Sequence, residues 1–219
     1  MMEMALLPWA QRVRRKANLP VRLSWGDAGA HSLSLGDFDE PRVQIHVRDD
    51  EALRLLRDTR GATPGERAQL VLAEAQLHRD GGREDTAYAT LRKALETDPD
   101  SPDLLYDAAL TAERLGLYEP MEFHLRRLLK KHPDHAHALN ALGYSFADRN
   151  VRLDEAEPLL TRAVELAPED PFIMDSLGWL QYRQGKLDAA LQTLQAAYRV
   201  KPDPEIAAHL AEVLWQAGR

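Results

Sequence analysis

Three histidines close together are the strongest sign of chemistry in this chain. His132, His135 and His137 flank Asp134 in the run His132-Pro133-Asp134-His135-Ala136-His137. Imidazole nitrogens and a carboxylate at such spacing could hold zinc or a similar ion. Solvent-exposed turn histidines are the other reading, because Pro133 marks a turn between helices. The acidic pairs Asp154-Glu155 and Glu169-Asp170 could act as acid and base. Both fall where helices begin, and carboxylates there favour the helix dipole. Gly81-Gly82 follows no strand, so it does not read as a phosphate loop. The 219 residues include no cysteine, which excludes disulfides, thiolate metal sites and a cysteine nucleophile. No nucleophile elbow, phosphate loop or zinc-protease helix is legible. The reading is a non-catalytic chain with no catalytic residues, no cofactor and no metal site.

The elements around these residues repeat. Pro99, Pro133, Pro168 and Pro202 recur at intervals of 34, 35 and 34 residues. Each follows a helical pattern of small and apolar residues spaced by three and four: Ala87-Leu91-Ala94, Met121-Leu125-Leu128, Ala156-Leu160-Ala163 and Ala190-Leu194-Ala197. Each of these helices follows another, with Gly82, Gly116, Asn150 or Gly185 at the break. Glycine or asparagine there suits a left-handed helix end.

Two helices per period of about 34 residues resemble the tetratricopeptide repeat. The stretches Ala138-Leu139-Asn140-Ala141-Leu142-Gly143-Tyr144 and Met174-Asp175-Ser176-Leu177-Gly178-Trp179-Leu180 carry that family's Leu-Gly pair. Pro168 and Pro202 match its closing proline. The units are placed at 68–101, 102–135, 136–170 and 171–203, with a lone helix at 204–217. The expected fold is all-α, a superhelical solenoid over 51–219, after an irregular segment over 1–50. In the second unit, Ala108 and Ala109 stand where the others have a large and a small residue. Met121 and Leu128 stand there in place of alanines, an exchange that roughly conserves volume. Pro120 and Pro158 are expected early in their helices, where backbone N–H groups lack partners.

The resemblance implies that the first helix of each pair lines a concave groove through its second, fifth, ninth and twelfth positions. These are Asp103, Tyr106, Leu110 and Glu113; then His137, Asn140, Tyr144 and Ala147; then Phe172, Asp175, Trp179 and Tyr182. The lone helix adds Glu205, Ala208, Glu212 and Trp215. The partner-binding candidates are Tyr106, Leu110, Asn140, Tyr144, Phe172, Asp175, Trp179 and Tyr182. Aromatic side chains anchor interfaces by burying large area at low entropic cost. Packing between neighbouring first helices is the competing role for Tyr106, Tyr144, Trp179 and Tyr182. Family members that clamp C-terminal carboxylates use Lys, Arg and Asn in the groove. Lys and Arg are absent from the listed positions of units two to four, which points away from such a clamp and toward an apolar or basic segment.

The net charge of −7 falls wholly on residues 51–219, since the first 50 are balanced. An acidic body argues against nucleic acid as a partner. No apolar run is long enough to span a bilayer. The N-terminus shows no readable export signal, which predicts a cytoplasmic chain. The repeats are also similar to those of bacterial outer-membrane lipoproteins that act as protease adaptors, which implies the cell envelope. Before residue 51, Val21-Leu23-Trp25, Leu33-Leu35 and Val43-Ile45-Val47 alternate with polar residues, and Gly26, Gly29 and Gly36 fall between them. A small β-meander and a poorly ordered arm are both compatible; irregular structure with one or two short strands is expected. Residues 51–59 read as the second helix of a degraded unit. At the other end, Leu210, Val213, Leu214 and Trp215 are expected to lack cover on one side. That predicts a homo-oligomer through the C-terminal helix, or a fragment of a longer array. The expected partner is otherwise a protein or peptide.

Overall fold

The computed structural model describes residues 21–24, 32–35, 44–46, 49–59, 61 and 63–218. The chain divides into two compact units, Met1–Arg83 and Glu84–Arg219. In the first, β1 (Val21–Ser24), β2 (Ser32–Leu35) and β3 (Gln44–His46) pair antiparallel in that order. Val21 lies opposite Leu35, and Leu33 opposite both Leu23 and Ile45. The segment thus holds three strands where one or two were expected, with the apolar residues in register across the sheet. Trp25, Val43, Val47, Gly26, Gly29 and Gly36 lie outside the described residues.

Helix α1 (Asp49–Asp58) buries Leu53 and Leu56. Helix α2 (Pro64–Asp80) opens on a capping box, in which the Thr63 hydroxyl accepts from the Glu66 N–H at 3.2 Å and the Glu66 carboxylate accepts from the Thr63 N–H at 3.1 Å. Two of the four orphan donors of a helix start are satisfied this way. Arg57 on α1 donates to Glu74 on α2 at 2.8 Å.

The second unit is a stack of antiparallel helices. They are α3 (Glu84–Thr97), α4 (Pro102–Arg114), α5 (Tyr118–Lys131), α6 (Ala136–Asp148), α7 (Leu153–Leu166), α8 (Pro171–Arg183), α9 (Leu187–Val200) and α10 (Pro204–Gln216). Helices α4/α5, α6/α7 and α8/α9 form pairs, and α6, α8 and α10 lie against one another as neighbouring first helices. The breaks within pairs are closed alike. Gly82, Gly116, Asn150 and Gly185 have φ of 70°, 71°, 53° and 75°. Gly116 N–H donates to Glu113 O at 2.8 Å and Leu117 N–H to Ala112 O at 2.9 Å, and the same pair of bonds recurs at the other three breaks. These bonds satisfy helix-end carbonyls that would otherwise be orphaned.

Small residues set the spacing inside each pair. A Cβ on Gly143 would lie 2.7 Å from Leu160 Cγ, and one on Gly178 would lie 2.7 Å from Leu194 Cγ. In α4/α5 the exchange of Ala108, Ala109, Met121 and Leu128 leaves all four fully buried. At the end of the stack, Val213 is fully buried, and Leu210 and Leu214 pack on Ala190, Leu191 and Leu194 of α9. Val213 is thus covered, while Leu210 and Leu214 stay half-buried. Only Trp215 stays out, at 80% exposure.

Pro120 is the third residue of α5, as expected for a first turn, but Pro158 is the sixth of α7. That is past the orphan donors, so Pro158 removes a helical hydrogen bond to Asp154. The extra residue of this unit appears as a second left-handed position, Arg152 at φ 47°. Arg152 is held there by Glu122, which accepts from its Nη1 at 2.9 Å and from its Nη2, and by the Phe146 ring 4.0 Å away. Glu122 also accepts from Arg126 Nε at 2.8 Å. Hydrogen bonds from Arg152, then Arg126, hold the Glu122 carboxyl down to about 2. A carboxylate with a depressed folded-state pKa adds stability that is complete above its ordinary pKa and fades as pH falls. Glu122→Gln should therefore cost about 1 kcal/mol near pH 7. The difference from the parent should shrink as pH drops from about 4.5 toward 2, as followed by urea denaturation at several pH values.

Candidate partner-binding groove

The lining positions are set by where the first helices start. Helices α4, α6, α8 and α10 begin at Pro102, Ala136, Pro171 and Pro204, and Asp170 and Asp203 cap the last two through their carboxylates. Side chains three and four apart share a helix face, so Asn140 and Tyr144 share one, as do Asp175, Trp179 and Tyr182.

The structure gathers part of the expected set. Trp179, on α8, is 8% exposed. Its ring stacks on that of His209 from α10, with centroids 4.2 Å apart and planes at 19°. Tyr182 lies 5.0 Å from Trp179 and donates its hydroxyl to Glu212 at 3.0 Å. Tyr144 of α6 reaches the same His209 ring at 6.2 Å. Asp175 is 4% exposed, and its Oδ2 lies 2.8 Å from His209 Nδ1. Tyr144, Asp175, Trp179, Tyr182 and His209 thus form one cluster across α6, α8 and α10.

The other candidates sit apart from it. Tyr106 is half-buried, with its ring 5.5 Å from that of His135. Leu110 is half-buried on α4. Phe172 is exposed at the start of α8 beneath Lys201, whose Nζ is 4.3 Å from the ring. Asn140 is half-buried on α6, one turn before Tyr144.

Three polar atoms of this lining are buried without a hydrogen-bond partner: Asn140 Oδ1, Asp175 Oδ1 and Trp179 Nε1. Buried polar groups are normally paired, and each exception calls for a reason. The surroundings are acidic. Burial pushes the Tyr144 hydroxyl well above its ordinary pKa, and the carboxylates of Asp148, Glu205, Asp175 and Glu113 push it further. Burial, then Glu113, Asp170 and Asp107, raises Tyr106 in the same way. Burial raises Glu113 itself.

The histidine run is divided among separate tasks. His135 caps α6, its Nδ1 accepting from the Ala138 N–H at 3.1 Å. His137 lies 4.0 Å from Asp170. Among the described residues, no group of three or more His, Asp or Glu side chains is placed to hold a metal ion. Sequence reasoning missed His209 because it lies one residue past the lining position Ala208. It also missed Arg183, the twelfth position's neighbour, whose guanidinium is 4.7 Å from the Trp179 ring.

Paired helices of 13 and 14 residues, closed by left-handed turns and stacked in register, define a tetratricopeptide-type helical repeat. The family models named Tetratricopeptide repeat match residues 50–102, 124–171 and 150–213. The chain belongs to the tetratricopeptide-repeat family. It is 42% identical over 165 residues to "TPR repeat-containing protein PA4667" of Pseudomonas aeruginosa, a match that covers 75% of this chain and 28% of that protein. The chain therefore spans little more than a quarter of the curated relative. Among solved structures, the thermophilic TPR protein TTC0263 of Thermus thermophilus is similar at 26% identity and a TM-score of 0.62, over 69% of this chain and 84% of that one. A tetratricopeptide repeat protein from Parabacteroides merdae matches in fold at 18% identity and a TM-score of 0.66, over 78% of this chain and 67% of that one. Among the described residues, no helix is long and apolar enough to cross a membrane.

Proposed function

We propose that this chain is a non-catalytic scaffold that holds a protein or peptide segment along the first helices of its stack. Tyr106, Leu110, Asn140, Tyr144, Phe172, Asp175, Trp179 and Tyr182 are its contact residues. The observation that carries the reading is the trio of unpartnered atoms on one lining: Asn140 Oδ1, Asp175 Oδ1 and Trp179 Nε1. Two acceptors and one donor match the N–H and C=O groups that a peptide backbone offers. The aromatic rings beside them supply apolar area. On the resemblance to envelope adaptors, the work belongs in the bacterial cell envelope, where fractionation with an antibody to the chain should find it.

Crosslinking capture from native lysate tests the reading. Asn140→Ala with Tyr144→Ala should reduce capture of a specific partner by about tenfold, since both side chains are half-buried and face the lining. Capture that is unchanged, with the variant folded by circular dichroism, would sink it.

A second reading rests on Trp215, exposed at 80% on α10. A large exposed aromatic ring is an interface anchor, and a second copy of the chain is the occupant first expected. In that case, light scattering should give a mass that rises with concentration, and Trp215→Glu should return it to the monomer value. A monomer at every concentration disposes of this reading.

A further inference from the structure

We propose that Asp175, Trp179 and Tyr144 form a subsite for an arginine side chain of the partner, and that His209 occupies that subsite while the groove is empty. The inference rests on the groove reading above and names the chemistry that one part of the groove selects.

The first support is the geometry of His209. Its planar ring lies flat on Trp179, at 4.2 Å and 19°, with Nδ1 2.8 Å from Asp175 Oδ2. A planar, nitrogen-bearing group stacked on an indole and bonded to a carboxylate is also how a guanidinium seats itself. The imidazole is an incomplete occupant. It meets one oxygen of Asp175 and leaves Oδ1 buried with no partner. A guanidinium fork would meet both oxygens at once. Asp175 is 96% buried by this count, so half of its hydrogen-bonding capacity is withheld from water and unused. Trp179 Nε1, on a side chain nine-tenths buried, is also unpartnered; it is a donor and so is left for a carbonyl of the partner, not for the guanidinium.

The second support is charge. Glu113, Asp148 and Glu205 act on Tyr144 together with Asp175, all in the direction that marks an anionic surrounding. Among the described residues, the guanidinium at the Trp179 ring is that of Arg183, and its Nη2 donates to the Asp148 carbonyl at 2.9 Å. Asp175 pairs instead with the His209 imidazole, at 2.8 Å. A partner arginine would therefore give the Asp175 carboxylate a permanent cation in place of the imidazole. His209 sits on α10, outside the α8/α9 pair, so turning its ring aside breaks no contact within that pair.

The test uses the whole chain and a displayed library of randomised twelve-residue peptides. Selected peptides should share an arginine at one fixed position. A synthesised winner should lose about tenfold in affinity when that arginine becomes citrulline, which keeps the shape and removes the charge. Lysine at the same place should fall between the two, since it keeps the charge and loses the fork. Asp175→Asn should erase most of the arginine–citrulline difference. His209→Ala should tighten the arginine peptide several-fold. Selection of peptides with neutral or acidic residues there overturns the arginine subsite and leaves the groove reading standing. Selection of no peptide at all overturns the groove reading and this one with it. An arginine–citrulline difference that survives largely intact in Asp175→Asn also overturns the subsite. If Asp175→Asn fails to fold, the citrulline and His209→Ala arms decide, and unchanged or weaker binding in His209→Ala refutes the role given to that histidine.

Discussion

Trp179→Ala should lower the stability of the Glu84–Arg219 unit by about 3 kcal/mol, the range for removing a mostly buried indole. On the sequence alone, a groove-facing Trp179 would lose binding with little change in melting temperature. The 8% exposure changes that expectation. The ring is covered by His209 at 4.2 Å and Tyr182 at 5.0 Å, so truncation leaves a hole between α8 and α10. A thermal melt should show a drop of roughly 10 °C. The two roles first opposed for this residue are not exclusive. One edge of the ring packs, while Nε1 stays unpartnered. Separating them takes a substitution that keeps the packing, and Trp179→Phe is the natural choice. It should melt within a few degrees of the parent yet weaken partner capture, because phenylalanine has no donor. A melt for Trp179→Ala indistinguishable from the parent would mean that the ring is not packed as described.

The helix framework was legible because it is written in backbone chemistry. Prolines at 34- and 35-residue intervals and a Gly or Asn at each break place every turn of the second unit, and the left-handed φ angles fall on those residues. The starts of the first helices were legible too, since α4, α6, α8 and α10 begin at Pro102, Ala136, Pro171 and Pro204. What escaped the sequence depends on contacts between repeats. His209 is one residue off the lining register, and only the approach of α10 to α8 brings its ring onto Trp179. The cover over Leu210, Val213 and Leu214 comes from α9, which a reading of α10 alone does not supply. Helix α7 does start near Asp154, at Leu153, one residue later after its break than the other second helices, yet Pro158 still falls sixth in it, past the first turn. Three alternating stretches allowed a meander, but one or two strands were expected, where the sheet has three. Alternation marks a strand, but pairing such as Leu33 with Ile45 is a separate condition that alternation does not settle.

Gly178→Ala should cost about 2 kcal/mol of stability, and Gly143→Ala about the same. The two glycines sit at the crossing of α8 with α9 and of α6 with α7. The atom that an added methyl would meet is a leucine Cγ at 2.7 Å in each case, not the free end of a side chain. Leu194 and Leu160 are both fully buried, so neither can turn aside into space. The helices must separate, or the leucine must leave its rotamer, and either costs energy in a close-packed core. Helix propensity pulls the other way, since alanine is favoured over glycine by about 1 kcal/mol within a helix. The clash outweighs it here because it falls at the point of closest approach. The α4/α5 pair supplies the internal control, because Ala109 already holds the equivalent place and is fully buried. Ala109→Gly should therefore destabilise as well, by about 1 kcal/mol, through lost packing and added chain entropy. Urea midpoints for the three single variants and for Gly143→Ala with Gly178→Ala would check this. Gly178→Ala more stable than the parent would show that the pair has room its geometry denies. In the double variant the costs should add if the two crossings are independent, and a shortfall would show that α6, α7, α8 and α9 relax together.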